Sequence, residues 1–393
     1  MASIPGSLFR KTLFWMHLTA GVAAGLLILL MSFTGVLLAY EHQLMATAAQ
    51  GNRVSAPAGA VPLSAERLAA RARELSPDAG RITLVFDADP AMAVAANRGR
   101  EGSTLLNPYT GDVVPDATQA RRAFLRSVEN LHRWLGGRPG STGADLMHAA
   151  NLLFVFITIS GIYLWFPAVW RWHTLKGLVL FRGHYINSRF RDFSWHHVFG
   201  IWSVLPLFII ALSGVVMSYS WANAMVFSAY GEEAPQRGGP PGGPPGGGPR
   251  EGGRPGGQAE ETTHADLDML LAAAKAQVPD WQKITLPLSA RGPSVDVAVE
   301  LKSSSPRPPR TTVVLAKADA QVLRVDAPNA AALRQSPGQR ARIWFRFVHT
   351  GEEYGVVGQT LAALASLAAC FLVYTGLALA FRRLILPLFK KPA

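Results

Sequence analysis

Cysteine is nearly absent: the 393 residues hold one, Cys370, inside an apolar run. A single thiol excludes an internal disulfide, a Cys-ligated iron–sulfur cluster and covalent haem at a C-x-x-C-H site. Any redox centre in this chain has to be held by histidine. Charge is scarce as well, at 16% of residues against 49% hydrophobic, where soluble domains carry about 25% charged residues. No flavin or nicotinamide fingerprint occurs. The Gly-rich stretch RGGPPGGPPGGGPREGGRPGGQ, 237–258, lacks the preceding strand, the following helix and the Gly-Lys-Ser/Thr ending of a phosphate loop. It reads as a Pro/Gly linker.

What the chain does have is long uncharged runs. A helix needs about 20 apolar residues to cross a bilayer, and 18–40, 149–170, 198–227 and 356–381 qualify. The first run exceeds the about 7–15 residues of a signal-peptide core. It is therefore expected to stay as an anchor, although ATAAQ after it offers a cleavage site. Arg10 and Lys11 precede the first run; Arg171, Lys176, Arg182, Arg189 and Arg191 lie between the second and third; Arg382, Arg383, Lys390 and Lys391 follow the fourth. Basic residues in short flanks mark the cytoplasmic side. The expectation is a multi-pass protein of the bacterial inner membrane with both termini cytoplasmic and the segments 43–145 and 228–354 outside. The net charge of +12 then reflects topology and implies no nucleic-acid partner; the partner is the lipid bilayer.

The two outer segments share a plan. LSAERLAARAREL reads as a helix, followed by alternating runs RITLVFD, AMAVAAN and STLLNPYTGDVV; ADLDMLLAAAKAQV repeats it, followed by QKITLPL, SVDVAVEL, TTVVLAK and AQVLRVD. One helix plus a small antiparallel sheet is expected in each. The runs themselves each contain a hydroxyl residue, glycine and an aliphatic: TGV at Thr34, SGI at Ser160, SGV at Ser213, TGL at Thr375. Helix packing through small residues accounts for part of that pattern. The fold class expected is a membrane protein: a bundle of four transmembrane helices with two small periplasmic α+β domains, built by internal duplication. The division expected is 1–43 (first span), 44–143 (first outer domain and juxtamembrane helix), 144–170 (second span), 171–194 (cytoplasmic loop), 195–227 (third span), 228–262 (linker), 263–350 (second outer domain) and 351–393 (fourth span and tail).

The repeat sorts the ten histidines. His17 lies 18 residues before Gly35, and His196 lies 18 before Gly214; His132 precedes Gly161 by 29 and His349 precedes Gly376 by 27. Eighteen residues are five helical turns, about 27 Å. HLTAG, HRWLG and HHVFG also place glycine one turn after His17, His132 and His196. Glycine there, at Gly21 and Gly200, removes a side chain that would collide with a flat macrocycle on the histidine. His173 has the same spacing within a loop, so chance supplies some matches. By depth, His17 faces His196 at the cytoplasmic side and His132 faces His349 outside, an arrangement for bis-histidine b-type haem. Imidazole also suits zinc or copper, but the pairs lack the additional Cys or carboxylate ligands such ions usually take. His148 is an alternative to His132. His42, His173, His184 and His264 are explained by interfacial hydrogen bonding, and His197 is expected to turn elsewhere. Arg133 and Arg346, near the outer histidines, are candidates for haem propionates. The spans carry no evident buried carboxylate or arginine, which argues against a transporter.

These stretches carry a resemblance over nearly the whole chain. RKTLFWMHLTAGVAAGLLILLMSFTGVLLAYE, LHRWLGG, ANLLFVFITISGIYLWFP, RDFSWHHVFGIWSVLPLFIIALSGVVMSY and FRFVHTGEEYGVVGQTLAALASLAACFLVYTGLALAFRR resemble the PepSY-associated transmembrane proteins, and among them the FoxB-like inner-membrane ferrisiderophore reductases. The resemblance implies two b-type haems with His17, His132, His196 and His349 as axial ligands, electrons passing outward, and PepSY-like outer domains. The linker is longer and more repetitive than the family pattern. The activity implied is reduction of periplasmic ferric-siderophore iron(III) to iron(II) by a di-haem oxidoreductase. The loop 168–194 is too short for a nucleotide domain, so the donor is another molecule, cytoplasmic or a quinol. Two rivals stay open. One is a haem b quinol-linked relay with another periplasmic acceptor. The other is a cofactor-free anchored PepSY protein that binds or regulates.

Overall fold

A computed structural model describes residues 5–389 apart from 58, 100, 101, 168, 169, 236–265, 291, 304 and 306. The linker 237–258 and His264 lie outside the described residues. In chain order the elements are α1 (Pro5–Leu38), α2 (Glu41–Ala49), α3 (Ala65–Glu74), β1 (Thr83–Asp87), β2 (Val94–Asn97), β3 (Ser103–Leu106) and β4 (Val113–Val114). They continue with α4 (Gln119–Trp134), α5 (Thr142–Trp165), α6 (Trp172–Val179), α7 (Ser188–Ser218), α8 (Ser220–Ser228) and α9 (Leu267–Gln277). The last are β5 (Trp281–Pro287), β6 (Ser294–Leu301), β7 (Arg310–Ala316), β8 (Val322–Val325), α10 (Ala330–Leu333), α11 (Pro337–Thr350) and α12 (Gly355–Leu384). Two compact units form: Met1–Glu41 with Phe124–Pro245 and Pro337–Ala393, and His42–Ala123 with Gly246–Ser336.

The first unit is helical. Four of its helical segments, Leu8–Leu38, Thr142–Trp165, Ser188–Ser218 and Glu352–Phe389, are long and apolar enough to cross a membrane. The helices α1, α5, α7 and α12 close a circuit, each packed on its two neighbours. Small residues let them approach: Ala24 and Ala150 pack with Ile28, and Ala365 and Ala369 with Leu207. Ser141 caps α5 by accepting from the Ala144 amide at 3.3 Å, and Asn187 caps α7 from Phe190 at 2.9 Å. At the other end of α5, Arg10 donates to the Leu164 and Phe166 carbonyls, each at 2.9 Å. The apolar run 198–227 does not form one helix. Tyr219 is extended, with φ −102° and ψ 129°, so α7 stops there and α8 starts in a new direction.

The second unit is one antiparallel sheet of eight strands in the order β4-β3-β2-β1-β5-β6-β7-β8. The segments 43–145 and 228–354 each supply a helix and then four antiparallel strands, in keeping with the expected helix and small sheet. The two segments do not form separate sheets, however, because β1 pairs with β5 from Thr83↔Pro287 to Asp87↔Lys283. Helices α3 and α9 contribute Leu68, Ala69, Leu270 and Ala274 to a single core with Leu84, Ile284, Val297 and Leu315 of the strands. The pairing of first strands completes a hydrophobic face that neither half buries alone.

Candidate functional site

The helical unit places four histidines in two layers: His17 on α1 and His196 on α7 line one cavity, and His132 on α4 and His349 on α11 stand ring to ring. On α1, His17 and Thr34 are seventeen residues apart, about 25 Å along the axis, close to the about 30 Å thickness of a bilayer core.

Each histidine meets one of the four hydroxyl–glycine motifs, always on a neighbouring helix. His17 Nδ1 lies 2.8 Å from Ser160 Oγ, His132 Nδ1 lies 2.9 Å from Thr34 Oγ1, and His196 Nδ1 lies 3.0 Å from Thr375 Oγ1. His349 Nδ1 lies 3.0 Å from Ser213 Oγ and 2.9 Å from the Ile210 carbonyl. A carbonyl only accepts, so His349 carries its proton on Nδ1 and keeps a lone pair on Nε2. The glycine after the hydroxyl seats the ring in three cases. A Cβ would stand 3.4 Å from His17 Cε1 at Gly161, 3.4 Å from His196 Cε1 at Gly376 and 3.6 Å from His132 Cε1 at Gly35. Gly214 is the exception: it makes room for Asn151, whose amide would lie 2.8 Å from a Cβ there.

His132 and His349 have ring centres 6.2 Å apart and planes inclined at 71°. Two imidazoles on opposite sides of one metal ion, at about 2.0–2.1 Å per bond, hold their centres about 6 Å apart. Burial first, then the adjacent His349, holds the His132 pKa down to about 4; burial also lowers that of His349. Both rings are neutral at physiological pH, as a metal ligand must be.

His17 and His196 line a cavity of about 1120 Å³. Its lining is largely apolar, with Val22, Ile28, Phe154 and Leu372 among it, and includes the cations Arg10, Lys11, Arg189 and Arg383 with no carboxylate among the described lining residues. Gly21 and Gly200 line it as expected: a Cβ on Gly21 would meet nothing within 4 Å, and one on Gly200 only Leu372 Cδ2 at 3.8 Å. A cavity at the upper end of the about 300–1,000 Å³ usual for ligand sites, with this lining, suits a large apolar molecule with acidic substituents. Among the described residues no group of three or more His, Cys, Asp or Glu could hold a bare metal ion. Two imidazoles per layer fit a metal that brings its other ligands with it.

Several expectations change. The glycine after His132 has another role. Gly136 lies beyond the end of α4 at φ +80°, and its amide bonds back to the Asn130 carbonyl at 3.1 Å, a helix stop that needs a left-handed residue. His197 does not turn away; it lines the same cavity as His196, with Nδ1 tied to the Phe193 carbonyl at 2.9 Å. Arg133 pairs with Glu129 at 2.7 Å and stacks on Trp134, and Arg346 stacks on Phe347. His148 lies on α5 beside Tyr219, with 5.9 Å between ring centres. Just ahead of the expected third span, at the boundary with the basic loop, the structure buries a carboxylate that the sequence reading did not single out, Asp192. It lies in the first turns of α7, fully buried, and accepts from Arg191 at 2.9 Å and Arg382 of α12 at 2.5 Å. The basic lining residues of the cavity and the imidazole-binding hydroxyls also escape a reading by sequence. The four hydroxyl–glycine motifs were the visible signal of the latter.

No curated protein matches the chain. The family described as the PepSY-associated TM region matches residues 14–383, nearly the whole length, and the chain belongs to that family.

Proposed function

We propose that this chain holds two b-type haems, one at each end of the bundle, and passes electrons between them to reduce a ferric siderophore. The observation that carries this reading is the fourfold arrangement itself: two histidines per layer, each ring held through Nδ1 by a hydroxyl of the next helix. His17 and His196 would hold one group, and His132 and His349 the other. When bound, each haem would supply a one-electron centre and the remaining metal ligands that the imidazole pairs lack. Arg10, Lys11, Arg189 and Arg383 line the same cavity and would offer cations to propionates. Gly21 and Gly200, one turn after His17 and His196, leave open space beside that pair.

The orientation read from the basic flanks puts His17 and His196 on the cytoplasmic side of a bacterial inner membrane and the sheet unit in the periplasm. Electrons enter from a cytoplasmic donor or a quinol and leave at the His132–His349 end. There the siderophore's iron(III) accepts one electron and becomes iron(II), which such ligands hold far less tightly. No bond to the protein forms or breaks, and no side chain acts as acid, base or nucleophile. The residues hold, orient and exclude water.

The test is a reduced-minus-oxidised visible spectrum of detergent-purified protein with haem quantified per chain. Two low-spin b haems are expected, falling to one in H196A and to one in H349A, with loss of iron(III)-chelate reduction in both. Wild-type protein made with ample haem supply and carrying none would overturn the proposal and favour an anchored binding protein.

A further inference from the structure

We propose that Thr34, Ser160, Ser213 and Thr375 are positioning residues that fix the tautomer and electron donation of the four histidines. The inference rests on the reading of those histidines as haem ligands. A hydroxyl has one proton to donate, and here each faces a carbonyl of its own helix. Thr34 Oγ1 lies 2.6 Å from the Leu30 carbonyl, Ser160 Oγ 3.2 Å from Ile157, Ser213 Oγ 2.8 Å from Ile210 and Thr375 Oγ1 2.8 Å from Phe371. With its proton directed there, the oxygen can only accept from the imidazole. Nδ1 therefore carries the proton in all four rings, and Nε2 is left to bind metal.

The arrangement is not a by-product of buried hydroxyls on these helices. Thr158 and Ser203 are buried and bond back to Val155 and Phe199 at 2.8 and 2.6 Å, yet neither meets a histidine. The four hydroxyls that do, Thr34, Ser160, Ser213 and Thr375, are each followed by glycine. An acceptor on Nδ1–H raises the basicity of Nε2. A more basic ligand stabilises the oxidised metal over the reduced one, which lowers the potential at that site. Keeping the potential low favours onward transfer to a tightly chelated iron(III).

The experiment compares full-length wild type, T375V, T375S and S203A by haem content and by redox titration of each haem. Valine keeps the shape of threonine without the hydroxyl; serine keeps the hydroxyl. T375V is expected to move one haem to a more positive potential, about 59 mV for each tenfold loss in preference for the oxidised metal. The other haem, T375S and the S203A control stay at wild-type values. Loss of one haem in T375V with retention in T375S also supports the role of the hydroxyl. Two haems at unchanged potentials in T375V overturn the inference and leave the ligand reading intact, as does equal loss in T375V and T375S. Wild type without haem overturns both.

Discussion

Asp192 shows how much one side chain can decide at a site. It has no exposed surface and joins Arg191 on its own helix to Arg382 on α12. One turn further along α7 stands His196, whose Nδ1 meets Thr375 on the same partner helix. The ion pair and the imidazole contact thus fix one register between α7 and α12. Removing one member of a buried pair strands the other's charge and typically costs about 3–5 kcal/mol. D192A should lower the thermal stability of the purified protein by about that amount, and D192A/R382A should cost no more than D192A alone. Full additivity of the two single substitutions would show that the charges do not couple. His17 and His196 stood out in the sequence because both lie eighteen residues before a glycine and four before another; His132 and His349 were placed by the repeat of the spans instead. Asp192 did not stand out, because its burial is decided by Arg382, 190 positions later. The hydroxyls were visible as a pattern, but their role depends on rings from other helices.

Local pattern made the strand runs and both covering helices of the sheet unit readable, and it failed where segments meet. The β1–β5 pairing joins strands about two hundred residues apart, and no local pattern encodes it. The same junction is held at the helix starts. Asp268 in the first turn of α9 accepts from the Ala65 amide of α3 at 2.6 Å, and Glu66 in the first turn of α3 accepts from the Leu267 amide of α9 at 2.9 Å. Each helix caps the other, and an N-terminal cap contributes about 1 kcal/mol. E66A and D268A should each cost about that much, read as faster hydrogen exchange in both helices and not only in the one mutated. Exchange confined to one helix would sink the reciprocal account. Asp116 is a pH-dependent counterpart. Burial pushes its pKa up, but the Thr118 hydroxyl and amide, Arg122 and Asn52 together bring it below the usual value. A depressed folded pKa contributes stability that is present above the unfolded value and lost as pH falls through the folded one. D116N should therefore weaken the unit at neutral pH and flatten its loss of stability below about pH 4, measured as melting temperature against pH. An unchanged acid limb would refute this.

At the scale of the whole chain, direction is what turns two histidine layers into a device. The four membrane-length helices form one closed circuit, and the layers stand near its two ends. Under the proposed function an electron would enter at His17 and His196 and leave at His132 and His349, so the sidedness of the membrane would decide which compartment is reduced. Arg171, Lys176, Arg182, Arg189 and Arg191 lie between α5 and the middle of α7, and short basic loops stay on the cytoplasmic side. That makes a sharp prediction for single cysteines placed on a C370A background. G183C, between α6 and α7, should react with a membrane-impermeant maleimide only after the inner membrane is broken. D319C, between β7 and β8, should react in intact spheroplasts. The opposite pattern would put the His17–His196 cavity outside, send electrons inward, and exclude reduction of an iron chelate in the periplasm even if both haems are present.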